Sequence, residues 1–221
     1  YYVHLFVWNR EKDELVGAYR LGQTDVIVKR LGARGLYTST LFRYRRKLLD
    51  RISPALELGR SFVRQEYQKN FSPLLLLWKG VALYVSRHPQ YKILFGPVSV
   101  NNDYQSSSRQ LLVAFLKVNN FLPELARLVK ARKPLRANPL TAWKLRRTRM
   151  VVNDLDEVEA LIADLETDLK GVPVLLRQYL RLGGKLLGFN IDPAFSYCLD
   201  GLILVDLTKT DPTLLARYMG R

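Results

Sequence analysis

The stretch Glu57-Leu-Gly-Arg60 puts a carboxylate and a guanidinium three residues apart, inside a run (residues 55–63) that otherwise reads as a β-strand. A carboxylate can serve as a general base, and an arginine can hold an anion. Strict alternation along a strand points Glu57 and Arg60 to opposite faces. Gly59, between them, is where a β-bulge costs least. A bulge there turns both side chains toward one face and frees a backbone N–H, at Gly59 or Arg60, to receive an oxyanion. The competing reading is a strand-end ion pair between Glu57 and Arg60 with no part in catalysis.

Two neighbouring stretches add polar groups. Residues 64–69 form a polar connection that runs into Ser72-Pro73, the signature of a helix N-terminus. A strand, a polar loop and a helix N-terminus make an anion site, to which Arg64, Gln65, Gln68 and Lys69 can add side-chain donors. Further on, Phe95-Gly-Pro-Val-Ser-Val100 carries a proline that cannot donate to a ladder, so pairing is expected to break at Pro97 and open a cleft. Ser99, Asn101 and Tyr104 follow as a polar rim or a general acid, although each type more often structures a loop.

The elements that would position these groups can be read in order. Residues 1–8 and 15–21 are β-rich and flank a polar turn, which predicts a hairpin. Strands are expected over 55–63 and 91–100, helices from Ser72 to about 87 and from Ser106 to 119. Residues 129–150 read as a basic linker or loop. Asn153 or Asp154 then caps a helix ending near 171, and Pro173 opens another that ends at Gly183-Gly184. Strands at 185–190 and 202–207 and a short helix from Pro212 close the chain. This organisation gives a core over 1–128, the basic segment 129–150, and an α/β segment over 151–221 that completes the sheet or forms a small subdomain.

Composition removes several chemistries. One cysteine (Cys198) and two histidines (His4, His88) leave no disulfide framework and no ordinary zinc set, so no metal is expected. Neither histidine has an aspartate five residues on, and there is no G-x-S-x-G elbow. No apolar run approaches the ~20 residues that span a bilayer, and a cytoplasmic protein, peripheral at most to the inner face of a membrane, is expected. The net charge of +15 is uneven: residues 1–150 hold 28 Lys and Arg against 9 Asp and Glu, residues 151–221 hold 7 against 11. Arg43, Arg45, Arg46 and Lys47 form one dense run, and residues 130–149 hold another, including Arg136, Lys144, Arg146, Arg147 and Arg149. Such a field attracts an anionic partner: nucleic acid, an anionic membrane surface or an acidic protein.

The stretches Val16-Gly-Ala-Tyr-Arg-Leu21, Leu36-Tyr-Thr-Ser-Thr-Leu-Phe42, Glu57-Leu-Gly-Arg-Ser-Phe-Val63, Leu77-Trp-Lys-Gly80 and Leu94-Phe-Gly-Pro-Val-Ser99 resemble the bacterial acyl-carrier-protein-dependent N-acyltransferases of the GNAT fold. That group holds ornithine-lipid N-acyltransferases, N-acyl amino acid synthases and hemolysin-like proteins; acyl-homoserine-lactone synthases are more distant. The resemblance covers roughly residues 1–125, and the stretches from Val172 to Tyr179 and Asp200 to Asp206 look like the tail of the hemolysin-like members. It implies an α/β fold with a mixed sheet, a bulged, splayed central strand pair and flanking helices. It also implies a first strand, opening helices and an acidic segment ahead of Tyr1. By it, Glu57 matches the base, and Arg60 and Arg20 match arginines of the active-site face. The CoA-binding members carry glycines where this chain has Tyr67 and Lys69. That departure disfavours acyl-CoA and favours acyl-phosphopantetheine on acyl carrier protein as donor, with no cofactor held tightly.

The expected activity is therefore transfer of a fatty acyl group from acyl carrier protein, docked on Arg43, Arg45, Arg46 and Lys47, to the amine of a small acceptor. A basic nucleic-acid-binding module and a membrane-docking domain are the alternatives. Against the former, the sequence holds no zinc spacing, RNP-like strand or helix-turn-helix.

Overall fold

A computed structural model describes residues 1–69, 72–135 and 154–219. The strands are β1 (Tyr2–Asn9), β2 (Glu14–Gln23), β3 (Phe42–Tyr44), β4 (Ala55–Val63), β5 (Ile93–Val100), β6 (Val129–Ala131), β7 (Lys185–Asp192) and β8 (Cys198–Asp206). The helices are α1 (Thr24–Leu31), α2 (Arg46–Ile52), α3 (Ser72–Arg87), α4 (Ser106–Asn119), α5 (Pro123–Ala126), α6 (Leu155–Leu165), α7 (Val174–Arg181) and α8 (Pro212–Met219). The fold is mixed α/β.

The chain divides into two compact units: residues 1–40, 46–96 and 205–221 form one, residues 41–45 and 97–204 the other. The division does not follow the segments 1–128, 129–150 and 151–221 expected from composition. Strand β5 passes from the first unit to the second between Gly96 and Pro97, and the C-terminal helix α8 returns to pack on α3. The segment 129–150 is no simple linker either: Val129–Ala131 pairs antiparallel with β3, placing Phe42 opposite Ala131. Residues 136–153, which hold Arg136, Lys144, Arg146, Arg147, Arg149 and Asn153, lie outside the described residues.

In the first unit the sheet order is β1-β2-β4-β5. The expected hairpin is β1–β2, and β2 pairs antiparallel with β4. β4 is buried from Ala55 to Gly59, as befits a central strand covered on both faces. It runs parallel to β5 only over three pairs, Ala55–Ile93, Leu56–Leu94 and Glu57–Phe95. Pairing thus stops two residues ahead of Pro97, and Gly96 is where the backbones come closest. Tyr2, Gly22 and Ile27 crowd together, which puts α1 on the Glu57 face, while Leu5 meets Gly80 of α3 on the opposite face.

In the second unit the order is β5-β8-β7, with α4 and α6 packed together and the β3–β6 pair against β7. Asp154 caps α6 by accepting from the Asp156 N–H. This helix stops at Leu165, short of residue 171, because Glu166 leaves the helix and its buried carboxylate accepts the Gln105 N–H at 2.8 Å.

A methyl group at Gly96 would sit 1.9 Å from the carbonyl oxygen of Leu58, a backbone atom that cannot step aside. Gly96→Ala should therefore cost about 1–3 kcal/mol or more in urea unfolding. A stability equal to the parent would show that β4 and β5 do not approach here as described.

Candidate active site

Glu57 is 1% exposed, and its carboxylate takes four donors. Oε2 accepts from the Tyr2 hydroxyl at 2.5 Å and from the Tyr37 N–H at 3.0 Å. Oε1 accepts from the Thr38 N–H at 2.7 Å and from the Thr38 hydroxyl. The two amides come from one short 3-10 turn, Tyr37–Thr40, which is knitted by its own hydroxyls: Ser39 donates to the Ala33 carbonyl and Thr40 to that of Tyr37. The run Tyr-Thr-Ser-Thr therefore folds as a cradle for one carboxylate. Burial and the neighbouring charge of Glu57 push the Tyr2 phenol far up, so it stays protonated at every working pH.

The expected bulge is present. Ala18 pairs with Phe62 and Arg20 with Gly59, so Arg60 and Ser61 together oppose Tyr19. The left-handed residue is Arg60 itself, at φ 51°, while Gly59 stays in the ladder. A bulge of this kind leaves one amide outside the pairing.

The ion pair between Glu57 and Arg60 on which the competing reading rested is not formed among the described residues. Arg60 instead lies over the Tyr37 ring, 4.6 Å from its centroid. Arg20 lies 4.4 Å from the centre of Tyr2 and 5.5 Å from that of Tyr37. Among the described residues neither arginine meets an acidic partner, and the buried Nε of Arg20 has no hydrogen bond. The site is thus a carboxylate satisfied by neutral donors beside two uncancelled cations, an arrangement able to move a proton and hold an anion. Glu57, Arg20, Gly59 and Arg60 are brought together here. Tyr2, Tyr37 and Thr38 were missed as site residues; the hydroxyl-rich run at 37–40 was a signal for the last two, while nothing singled out Tyr2. His4, exposed on the edge strand, pairs directly with Arg20 and so shares this face.

The loop after β4 is pinned to the β1–β2 hairpin. Arg64 pairs with Glu14 at 2.6 Å and with Glu66 at 3.3 Å, and Tyr67 donates to Glu14 at 2.6 Å. The Tyr67 bond, then Arg64, hold the Glu14 carboxyl below the usual range. Gln68 is bonded to the Val63 carbonyl. Arg64 and Gln68 are thus already engaged, whereas Gln65 and Lys69 are exposed.

Of the basic run, Arg43 and Arg45 belong to the second unit, Arg46 and Lys47 to the first, and all four are exposed. Asn101 is exposed in the second unit. Tyr104 there donates to the Gly171 carbonyl at 2.9 Å beneath Lys170, and burial pushes its phenol up to about 12. The Ser99 hydroxyl donates to Asp200 at 2.6 Å, and the Cys198 thiol reaches the same oxygen at 3.4 Å. Burial pushes Cys198 up to about 12, so it is held as a thiol.

Burial also raises the Asp200 carboxyl, whose Oδ2 has no partner. With the folded value raised, Asp200 is neutral in both states below the ordinary carboxylate pKa. As pH climbs past that value the unfolded chain ionises first, and folding loses stability. Asp200→Asn should therefore melt increasingly above the parent as pH rises from about 4 to the raised folded value, and by a constant margin beyond it. Melting curves that run parallel over that range would contradict this account.

Residues 1–79 match the model of the acetyltransferase (GNAT) domain. The chain is 37% identical over 124 residues to a glycine N(alpha)-acyltransferase of Bacteroides thetaiotaomicron, covering 52% of this chain and 37% of that protein. It is 33% identical to a glycine N(alpha)-acyltransferase of Phocaeicola vulgatus, over 61% and 43% of the two chains. With an L-ornithine N(alpha)-acyltransferase of Rhodobacter capsulatus it shares 32% identity over 88% and 65%. The chain thus spans between a third and two thirds of the length of these relatives. A solved aminoglycoside 6'-N-acetyltransferase with coenzyme A aligns over 93% of this chain and 73% of that one, at TM-score 0.41 and 10% identity, a likeness that adds nothing to the case. The bulged strand with its buried glutamate lies inside residues 1–79, the segment of this chain that is similar to the acetyltransferase (GNAT) domain.

Proposed function

We propose that the protein transfers a fatty acyl group from the phosphopantetheine thioester of acyl carrier protein to the α-amine of an amino acid, with glycine and ornithine, named in its relatives, as the first acceptors to try. The observation that carries this reading is the Glu57 cluster: a buried carboxylate reached through one tyrosine hydroxyl, beside two arginines that meet no acid among the described residues. The acceptor's carboxylate is held by Arg20 and Arg60. Its ammonium passes a proton to the Tyr2 hydroxyl, which hands its own to Glu57. The free amine attacks the thioester carbon, the oxyanion is met by the amide that the bulge at Arg60 leaves outside the ladder, and the C–S bond breaks. The proton left on the attacking nitrogen passes to the departing sulfur, which needs no strong acid since a thiol pKa is near ~8.5.

Glu57→Gln turns an amide N–H₂ toward donors that now lack an acceptor, so about 1–3 kcal/mol of stability should be lost. Turnover per folded molecule should fall roughly 10²–10⁴-fold. Tyr2→Phe should move turnover the same way, while His4→Ala should leave it nearly intact. If folded Glu57→Gln works within about twofold of the parent, the carboxylate is only a structural anchor. A large loss confined to His4→Ala would move the base to the imidazole.

Carrier proteins are acidic, and exposed Arg43, Arg45, Arg46 and Lys47 give them a docking field. Acyl carrier protein should be a better donor than the same acyl-CoA, and added salt should erode that advantage. Charge reversal at Arg45 and Arg46 should raise KM for the carrier protein with kcat little changed. Equal, salt-insensitive use of both donors would remove the docking model.

A further inference from the structure

The second unit contains an apolar groove that none of the chemistry above uses. Its volume is about 420 Å³, within the ~300–1,000 Å³ of small-molecule sites. The floor is β7 at Leu187, Gly188 and Phe189, and Phe121 and Val129 are among its walls. The Phe121 wall is built by backbone pairing: the Leu186 N–H donates to the Asn120 carbonyl at 2.6 Å, and the Leu122 N–H to that of Leu186 at 3.1 Å. Phe121 and Phe189 stack with centroids 6.5 Å apart. A methyl group at Gly188 would have Phe42 and Val129 as its nearest neighbours, at 3.5 Å or more, an ordinary contact.

The polar groups of this groove have one sign. Among the described residues, Lys117 and Arg127 are its charged lining residues, both exposed, and no Asp or Glu lines it. Lys117 stands 6.0 Å over the Phe189 ring, and Arg127 turns its Nε to the Glu124 carbonyl rather than to a carboxylate. An apolar trough with two cations suits an occupant that is a hydrocarbon chain with an anionic head. A cationic or zwitterionic amphiphile would set its ammonium against Lys117 and Arg127.

We infer that this groove binds the acyl-amino acid product of an acceptor with a single amine, such as glycine. The head group rests on the function proposed above. Acylation removes the charge of the acceptor's ammonium and leaves its carboxylate, so an amino acid such as glycine becomes a single-chain anion. Such a molecule leaves the reaction with an alkyl chain that water disfavours and a carboxylate that Lys117 and Arg127 can take. The groove is thus a second station for the product, held by its tail along Leu187 to Phe189.

Calorimetric titration of the full chain with N-dodecanoylglycine, its methyl ester and dodecylamine tests this without turnover. The acid should bind one to one, and the ester and the amine at least tenfold more weakly. Lys117→Glu with Arg127→Glu, both exposed, should weaken the acid at least tenfold and leave the ester unchanged. Gly188→Leu should abolish binding at an unaltered melting temperature. Should that variant unfold, Ala126→Phe fills the trough from its rim and must give the same loss. Acid binding that survives the filled groove, equal binding of the amine, or no binding of any amphiphile (as when another protein's helix is the natural occupant) overturns the inference. Acyl transfer assayed on the same preparations keeps the two readings apart. Transfer without groove binding sinks this one alone, and groove binding without transfer sinks the proposed reaction.

Discussion

A carboxylate taken out of water must be given back the hydrogen bonds it loses, and Glu57 receives four, from one tyrosine, one threonine and two main-chain amides. Much of the first unit is arranged to supply them. The turn Tyr37–Thr40 has the tight 3-10 form that aims two successive amides at one point. The edge strand β1 is held to the sheet by its ladder and also by Tyr2, whose hydroxyl sits between Glu57 and the Tyr37 amide at 2.9 Å. The rings that Arg20 and Arg60 lie upon are the same two tyrosines. A single buried charge thus fixes the turn, the edge strand and both cations.

The backbone of β4 carries the strain of this arrangement. Arg60 occupies the left-handed region without being glycine, which costs of order 1–3 kcal/mol and persists only where the surroundings enforce it. Here the ladder on either side and the Tyr37 ring enforce it. Glycine is spent at a different position, Gly96, where two backbones touch just before β5 crosses into the second unit. The short parallel ladder, three pairs long, follows from the bulge on one strand and the proline on the other.

Residues 55–63 and the helix at Ser106–Asn119 were legible because long apolar runs and clear start signals agree with each other. The bulge was legible from Gly59, one residue from where the chain turns. Helices α1 and α2 and strands β3 and β6 were not, since each is eight residues or shorter, and Phe42 meets its partner Ala131 from far along the chain. Within the site, the types Glu57, Arg20 and Arg60 could be picked out, but their partners could not. Two of the four donors to Glu57 are main-chain amides, which every residue owns and no sequence marks. The competing reading, a pairing of Glu57 with Arg60, is not what forms, because nearer neutral donors fill the carboxylate.

The arginines show how the chain decides which charges stay available. Arg64 is bonded to Glu14 and Glu66, so its charge is spent on holding a loop to a hairpin. Arg20 and Arg60 are held by aromatic faces, which fix a guanidinium in place through its planar surface without cancelling its charge. A salt bridge to Glu57 would have positioned either one equally well and left nothing for a substrate. Giving Glu57 neutral donors leaves the carboxylate and both cations as separate working groups on one face. The single thiol is buried and firmly protonated, and His88 is stacked on Tyr84 with its Nδ1 against a carbonyl. Among these groups, the tyrosine-linked carboxylate alone stands beside two guanidinium groups that meet no acid among the described residues, and the proposed proton transfer rests on that arrangement.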